Sequence, residues 1–207
     1  MSTTKSWAES RGIPGDTILP AIEGYTEPYA RTAEQVAIRT IILHGVCAVA
    51  FGVDADAVVE WFKEQNLWTS ISPNEDKFFS NPQRTEQQLM QFQWRSESEW
   101  ALLWTIKKVD SLGLPIRVCD TAQLVDEIMP ALGESISEFI SSATLRPPSE
   151  LLAEDDRIYN LHCYARIDRK NGVLFPDDLI YGVLYERHYA FEWLSDSAEW
   201  DDVTCDT

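Results

Sequence analysis

No glycine-rich phosphate loop, G-x-S-x-G elbow, H-E-x-x-H pair or aspartate-rich calcium loop occurs in the chain. Their absence removes the local signatures of nucleotide binding, serine hydrolysis, zinc proteolysis and EF-hand calcium binding, and no motif calls for a cofactor. Basic residues are scarce, 17 Lys and Arg against 34 Asp and Glu, and none forms a run of more than two. A surface that neutralises nucleic-acid phosphates needs clustered Lys and Arg, so a nucleic-acid partner is not expected. Only four cysteines are present, Cys47, Cys119, Cys163 and Cys205, far apart and without zinc-finger or C-x-x-C spacing. Reduced, mostly buried thiols follow from that pattern. The N-terminus lacks the apolar run of a signal peptide, and the most apolar segment, residues 41–53, is interrupted by His44 and closed by Asp54. That is too short for a bilayer span, and a cytoplasmic protein without a membrane partner is expected.

What is present is enough for a core. Of the 207 residues 44% are hydrophobic and eight are Trp, a composition that excludes disorder over most of the length and fits one domain. Residues 1–31, with Pro14, Pro20, Pro28, Gly12, Gly15 and Gly24, read as an irregular arm ahead of a helical domain over 32–207. Thr32 and Gln35 form a capping box, and the helix they open is predicted to run to about Phe51, with Gly52 as its stop. From Ile38 onward it is apolar nearly all round, Arg39 and His44 excepted, the pattern of a central, surrounded helix.

Asp54 starts a short helix that Asn66 ends, and Ser72-Pro73-x-Glu75 supplies cap, first-turn proline and capping-box acid for the next. Residues 85–109 are helical in pattern, with Ser96 and Glu99 as a second capping box and a bend near Arg95. A short extended piece is expected over 113–120, then helices over 121–131, 135–142, 149–170 and 177–194. The expected fold is all-α: a single-domain bundle of about seven or eight helices around the central apolar one.

The last two helices form an antiparallel hairpin in this reading. At helical spacing, Glu186 and Arg187 fall in the middle of apolar rows of the last helix, where unpaired charge costs several kcal/mol and has to find partners. His188 and Glu192 are one turn apart, and His162, Asp155 and Arg166 lie on the facing helix. Pairing the helices symmetrically about the turn sets His162 opposite Glu186. His162, Glu186, Arg187 and His188 are therefore the catalytic candidates, as general acids or bases, and His162, His188 and Glu192 the candidate metal trio. The plainer alternative is that these groups satisfy one another and pin the helices. In the acidic tail, Trp200 is expected to dock on the body and Asp201, Asp202 or Asp206 to bond a core arginine, Arg187, Arg166 or Arg95.

The segments LWTSISPNE, WRSESEWALLWTI, RPPSELL, YNLHCYARID, YERHYAFEWL and the terminal WDDVTCDT resemble the bacterial family named domain of unknown function 4272, over about residues 32–207. That resemblance implies a helical fold and brings no activity, cofactor or catalytic residue with it.

Acid is concentrated. Residues 120–156 hold nine acidic side chains against one Arg, and residues 192–207 six against none, together −14 of the net −17. The functional expectation is a non-enzymatic factor of inhibitor or immunity type whose acidic face engages a basic protein partner. The alternative is a small hydrolase-like or metal-dependent enzyme centred on His162, Glu186 and His188.

Overall fold

In the computed structural model, residues 3–10, 29–171 and 179–205 are described; all their regular secondary structure is helical, with no strand among them. Residues 1–31, expected as an irregular arm, include a helix, α1 (Thr3–Glu9). Its Ala8 is fully buried against Leu161, Tyr164, Ala165 and Leu184; this apolar contact holds a turn that propensity alone does not announce. Residues 11–28 lie outside the described residues.

α2 (Ala33–Ala50) begins at the expected Thr32–Gln35 capping box. It ends where Gly52 takes a φ of +105° and the amides of Gly52 and Val53 bond the carbonyls of Val49 and Ala48, 3.0 and 2.9 Å away. Long and apolar enough to cross a membrane, α2 is instead wrapped by the rest of the fold, with Val36, Ile41, Ile42, Leu43 and Val46 fully buried. α3 (Ala55–Glu64), capped by Asp54, and α4 (Pro73–Ser80), with its Ser72–Glu75 box, pack on one side of α2.

α5 (Glu86–Thr105) is one helix. The helix start expected at Ser96 does not form: the Ser96 hydroxyl donates back to the Gln93 carbonyl, 2.9 Å, and the helix runs on through Arg95. Beyond it, residues 106–120 are turns and irregular chain, so the expected extended piece does not form a strand. α6 (Thr121–Gln123) opens at Asp120 and widens into a π turn over Leu124–Ile128, closed by Met129 N–H on the Leu124 carbonyl. α7 (Ser137–Ser141), α8 (Pro148–Asn171) and α9 (Tyr181–Ser195) complete the bundle. The expected start of the last helix at residue 177 lies outside the described residues; Leu179 and Ile180 are not helical.

Three helices make the spine. α5 lies antiparallel to α2, with the Gln93 amide on the Ala50 carbonyl at one end and Glu99 on His44 at the other. Its opposite face carries α9 in the parallel sense, Trp94 lying on Gly182 and Trp104 beside Phe191. α8 then packs antiparallel on the far side of α9, with Tyr159 and His162 against His188. α5 is therefore surrounded, and its run from Ser96 to Thr105 is buried, two glutamates included.

Candidate functional site

Four glutamates sit inside this core: Glu75, Glu97, Glu99 and Glu186. Three of them are answered by arginine. Arg39 of α2 pairs with Glu75, whose other oxygen caps Ser72 N–H at 2.7 Å. Arg187 donates through Nε and Nη2 to Glu97 Oε2, 3.2 Å each, while Glu97 Oε1 takes the Cys119 amide. Arg95 donates to Glu186 Oε2 at 3.0 Å, and Ser98 Oγ to the same oxygen at 2.7 Å. The charges predicted to be buried on α9 thus find partners on α5 rather than on α8.

That outcome corrects the expected hairpin register. His162 meets neither Glu186 nor Arg187; its Nδ1 lies 2.8 Å from His188 Nδ1. A step of one residue on a helix turns the side chain by about 100°, so residues 186 and 187 face α5 while His188 faces α8. His162 Nε2 is 3.1 Å from the Tyr181 hydroxyl, and His188 Nε2 is 2.9 Å from Glu192 Oε1. The donor order Tyr181 to His162 to His188 to Glu192 satisfies all three links with both rings neutral. Burial, reinforced by His188 and Arg166 nearby, pushes His162 down to about 4.

Of the candidate metal trio, His188 has one nitrogen on His162 and the other on Glu192. Among the described residues no group of three or more His, Cys, Asp or Glu side chains is placed to hold a metal ion. The chain ends among acids: burial, then Glu192 and Asp156, push Asp155 up to about 7. The two acidic stretches therefore meet where α8 begins and α9 ends.

The fourth buried glutamate stands apart. Glu99, fully buried, accepts from His44 Nδ1 at 2.8 Å through Oε1, and its Oε2 has no hydrogen-bond partner among the described residues. Burial alone would lower the pKa of His44, but the charge and hydrogen bond of Glu99 raise it. Both residues line a cavity of about 580 Å³ between α2, α3, α5 and the π turn. Val58, Trp61 and Leu124 form its walls, and Phe51, Val53, Val125 and Leu132 stand exposed around it. Half of the large apolar side chains that are exposed among the described residues belong to this one rim, which marks it as more than scattered surface hydrophobicity. The Cys47 thiol in the wall is pushed well up by burial and by Glu99, so it is no ready nucleophile. Cys47, Cys119 and Cys163 are buried thiols outside any disulfide.

Sequence reasoning passed over this site. His44 registers only as an exception on an apolar helix and Glu99 as half of a capping box. The available signal was a pair of ionisable residues bordering apolar runs, His44 within IILHGVCAVA and Glu99 at the head of WALLW.

The fold and the cavity define an all-helical protein with one surrounded helix pair and a mostly apolar, acid-based pocket. The chain belongs to the family described as Domain of unknown function (DUF4272), whose model matches residues 1–203. The match takes in the N-terminal segment as well as the helical body. No curated protein and no solved structure matches the chain.

Proposed function

We propose that this protein binds a small, largely apolar molecule in the cavity between α2, α3, α5 and the π turn. The observation that carries the reading is the combination of a mostly apolar volume of about 580 Å³ with Glu99 among its lining residues, a buried glutamate whose Oε2 has no hydrogen-bond partner among the described residues. Small-molecule sites of roughly 300–1,000 Å³ share this composition: apolar walls and a few polar groups that fix orientation. A π turn in the wall fits the same picture, since such turns recur at functional sites. Titrating an aromatic fragment set into labelled protein tests it by NMR. The Trp61 indole N–H, which donates to the Glu134 carbonyl at 2.8 Å, and the Gly45 amide are the reporters. Fragments that shift these two signals support the site; a set that leaves both unmoved speaks against it.

A second reading, docking of a basic protein on an acidic face, is favoured by the meeting of the two acidic stretches at Asp155 and Glu192. Electrostatic steering would speed such capture and fall off with salt. Replacing Glu134, Glu138, Asp196 and Glu199 with neutral residues should then slow it without unfolding the domain, and recovery of no salt-sensitive partner from the native host would remove the reading. The enzymatic alternative needs Glu186 beside His162 and His188, and Glu186 is committed to Arg95 and Ser98.

A further inference from the structure

The geometry points to an amine as the polar group of the cavity's ligand: an apolar body carrying one ammonium that donates to the Glu99 carboxylate. This rests on the cavity reading above and names the chemistry that the cavity selects.

Glu99 Oε2 is the one carboxylate oxygen among the described residues that is buried without a partner. The comparison with its neighbours is telling, because Glu75, Glu97 and Glu186 each receive an arginine. At Glu99 the position facing α2 is filled by the shorter imidazole of His44, which occupies one oxygen only. A desolvated carboxylate oxygen without a donor costs about 1–3 kcal/mol or more, so a donor brought by a ligand gains what the fold leaves unmade. The Glu99 side chain is only 1% exposed, so contact with a ligand requires its terminal torsion, broad in glutamate, to swing Oε2 toward the cavity while His44 holds the other oxygen.

Charge selects the kind of donor. The ionisable side chains lining the cavity, cysteine aside, are His44, Glu99 and Asp126, with no lysine or arginine among them. Two carboxylates against one imidazole leave the lining negative whether or not His44 carries its proton. An anionic ligand is repelled, a neutral alcohol gains a hydrogen bond in which only the carboxylate is charged, and an ammonium gains one in which both partners are charged, with Coulomb attraction added. Asp126 adds negative charge where an incoming cation would pass, on a chain whose net charge of −17 already draws cations. The apolar walls at Val58, Trp61 and Leu124 accommodate a hydrocarbon body.

The test uses three probes of similar size on the intact protein by isothermal titration calorimetry: 2-phenylethylamine, 2-phenylethanol and phenylacetate. The amine should bind about tenfold or more tighter than the alcohol, because it alone adds charge–charge attraction to the hydrogen bond, and phenylacetate should give no heat of binding. Glu99→Gln, which keeps size and an acceptor for His44, should erase the difference between amine and alcohol. If that variant does not fold, the wild-type comparison still decides. Alcohol or phenylacetate binding as well as the amine overturns the assignment of an amine and leaves the cavity reading standing. Silence from all three overturns both.

Discussion

A charge taken out of water and then deprived of its partner is among the most damaging single changes a core can suffer, and Arg187 with Glu97 offers a clean instance. Both are almost wholly buried, with side chains 3% and 1% exposed. Arg187→Met should lower stability by about 3–5 kcal/mol in urea denaturation, and adding Glu97→Gln should recover a large part of it. A loss below about 1 kcal/mol would mean that the pair is solvated. Two titrating groups of the hairpin act in opposite directions. His162 is held neutral, its pKa lowered from 6.5 to about 4, so the unfolded chain binds more protons and stability falls as pH drops from about 6.5 toward 4. Asp155 is raised from 3.8 to about 7; its contribution is present below 3.8 and is lost as pH rises to about 7. His162→Gln should therefore remove acid sensitivity in that window, whereas Asp155→Asn should stabilise at pH 7.5 and steepen the acid decline. Stability-difference curves against wild type check both signs. Periodicity alone marks Glu186 and Arg187 as buried and in need of partners. It does not name those partners, because a row on a helix tells which way a side chain faces and not which helix stands there.

Helix starts were the most legible elements, since caps are local. Thr32–Gln35, Asp54 and Ser72–Glu75 each begin a helix where the residues place one. The hairpin register was not legible, because it depends on where α9 starts, and Ile180 is held outside the helix with its amide on the Pro115 carbonyl, 2.7 Å. The tail shows the same division. Trp200 is 4% exposed, packed edge-on against Tyr189 and Trp193 with the guanidinium groups of Arg39 and Arg95 over its ring. Docking of Trp200 is thus as expected, but Asp201 does not bond an arginine: it accepts from Ser72 Oγ and Asn74 N–H, 2.8 Å each, at the start of α4. Asp206 lies outside the described residues. A helix N-terminus offers free amides and the positive end of a dipole, which suits a carboxylate as well as a guanidinium does. Trp200→Ala should cost about 3–5 kcal/mol and lower the melting temperature by roughly 10 °C. Asp201→Ala should cost only about 1 kcal/mol; equal losses for the two would mean that the cap, not the ring, anchors the tail. Gly45 makes a complementary point at the crossing of α2 and α3, where a Cβ would run into the Phe62 ring and Val58. Gly45→Ala should destabilise by about 1–3 kcal/mol, measured the same way.

Over the whole molecule, cation and anion are sorted by depth. Arg39, Arg95 and Arg187 are spent inside the core, each on a glutamate, and these internal pairs cancel without touching the net charge of −17. The excess acid is left toward the surface, much of it along α6, α7, the start of α8 and the end of α9. The two populations respond differently to salt. Ions screen exposed charges beyond a Debye length, about 8 Å at 0.15 M and 30 Å at 0.01 M, but reach buried pairs poorly. Raising sodium chloride from about 10 to 150 mM should therefore relieve repulsion among surface carboxylates while leaving the core pairs intact, and the melting temperature should rise. The rise should be smaller in a variant with Glu134, Glu138, Asp196 and Glu199 neutralised, because less repulsion remains to be screened. A melting temperature that falls with salt would show that exposed attractive pairs such as Arg146–Glu150 and Lys5–Glu9 outweigh the repulsion, which their small individual worth of about 0–1 kcal/mol argues against.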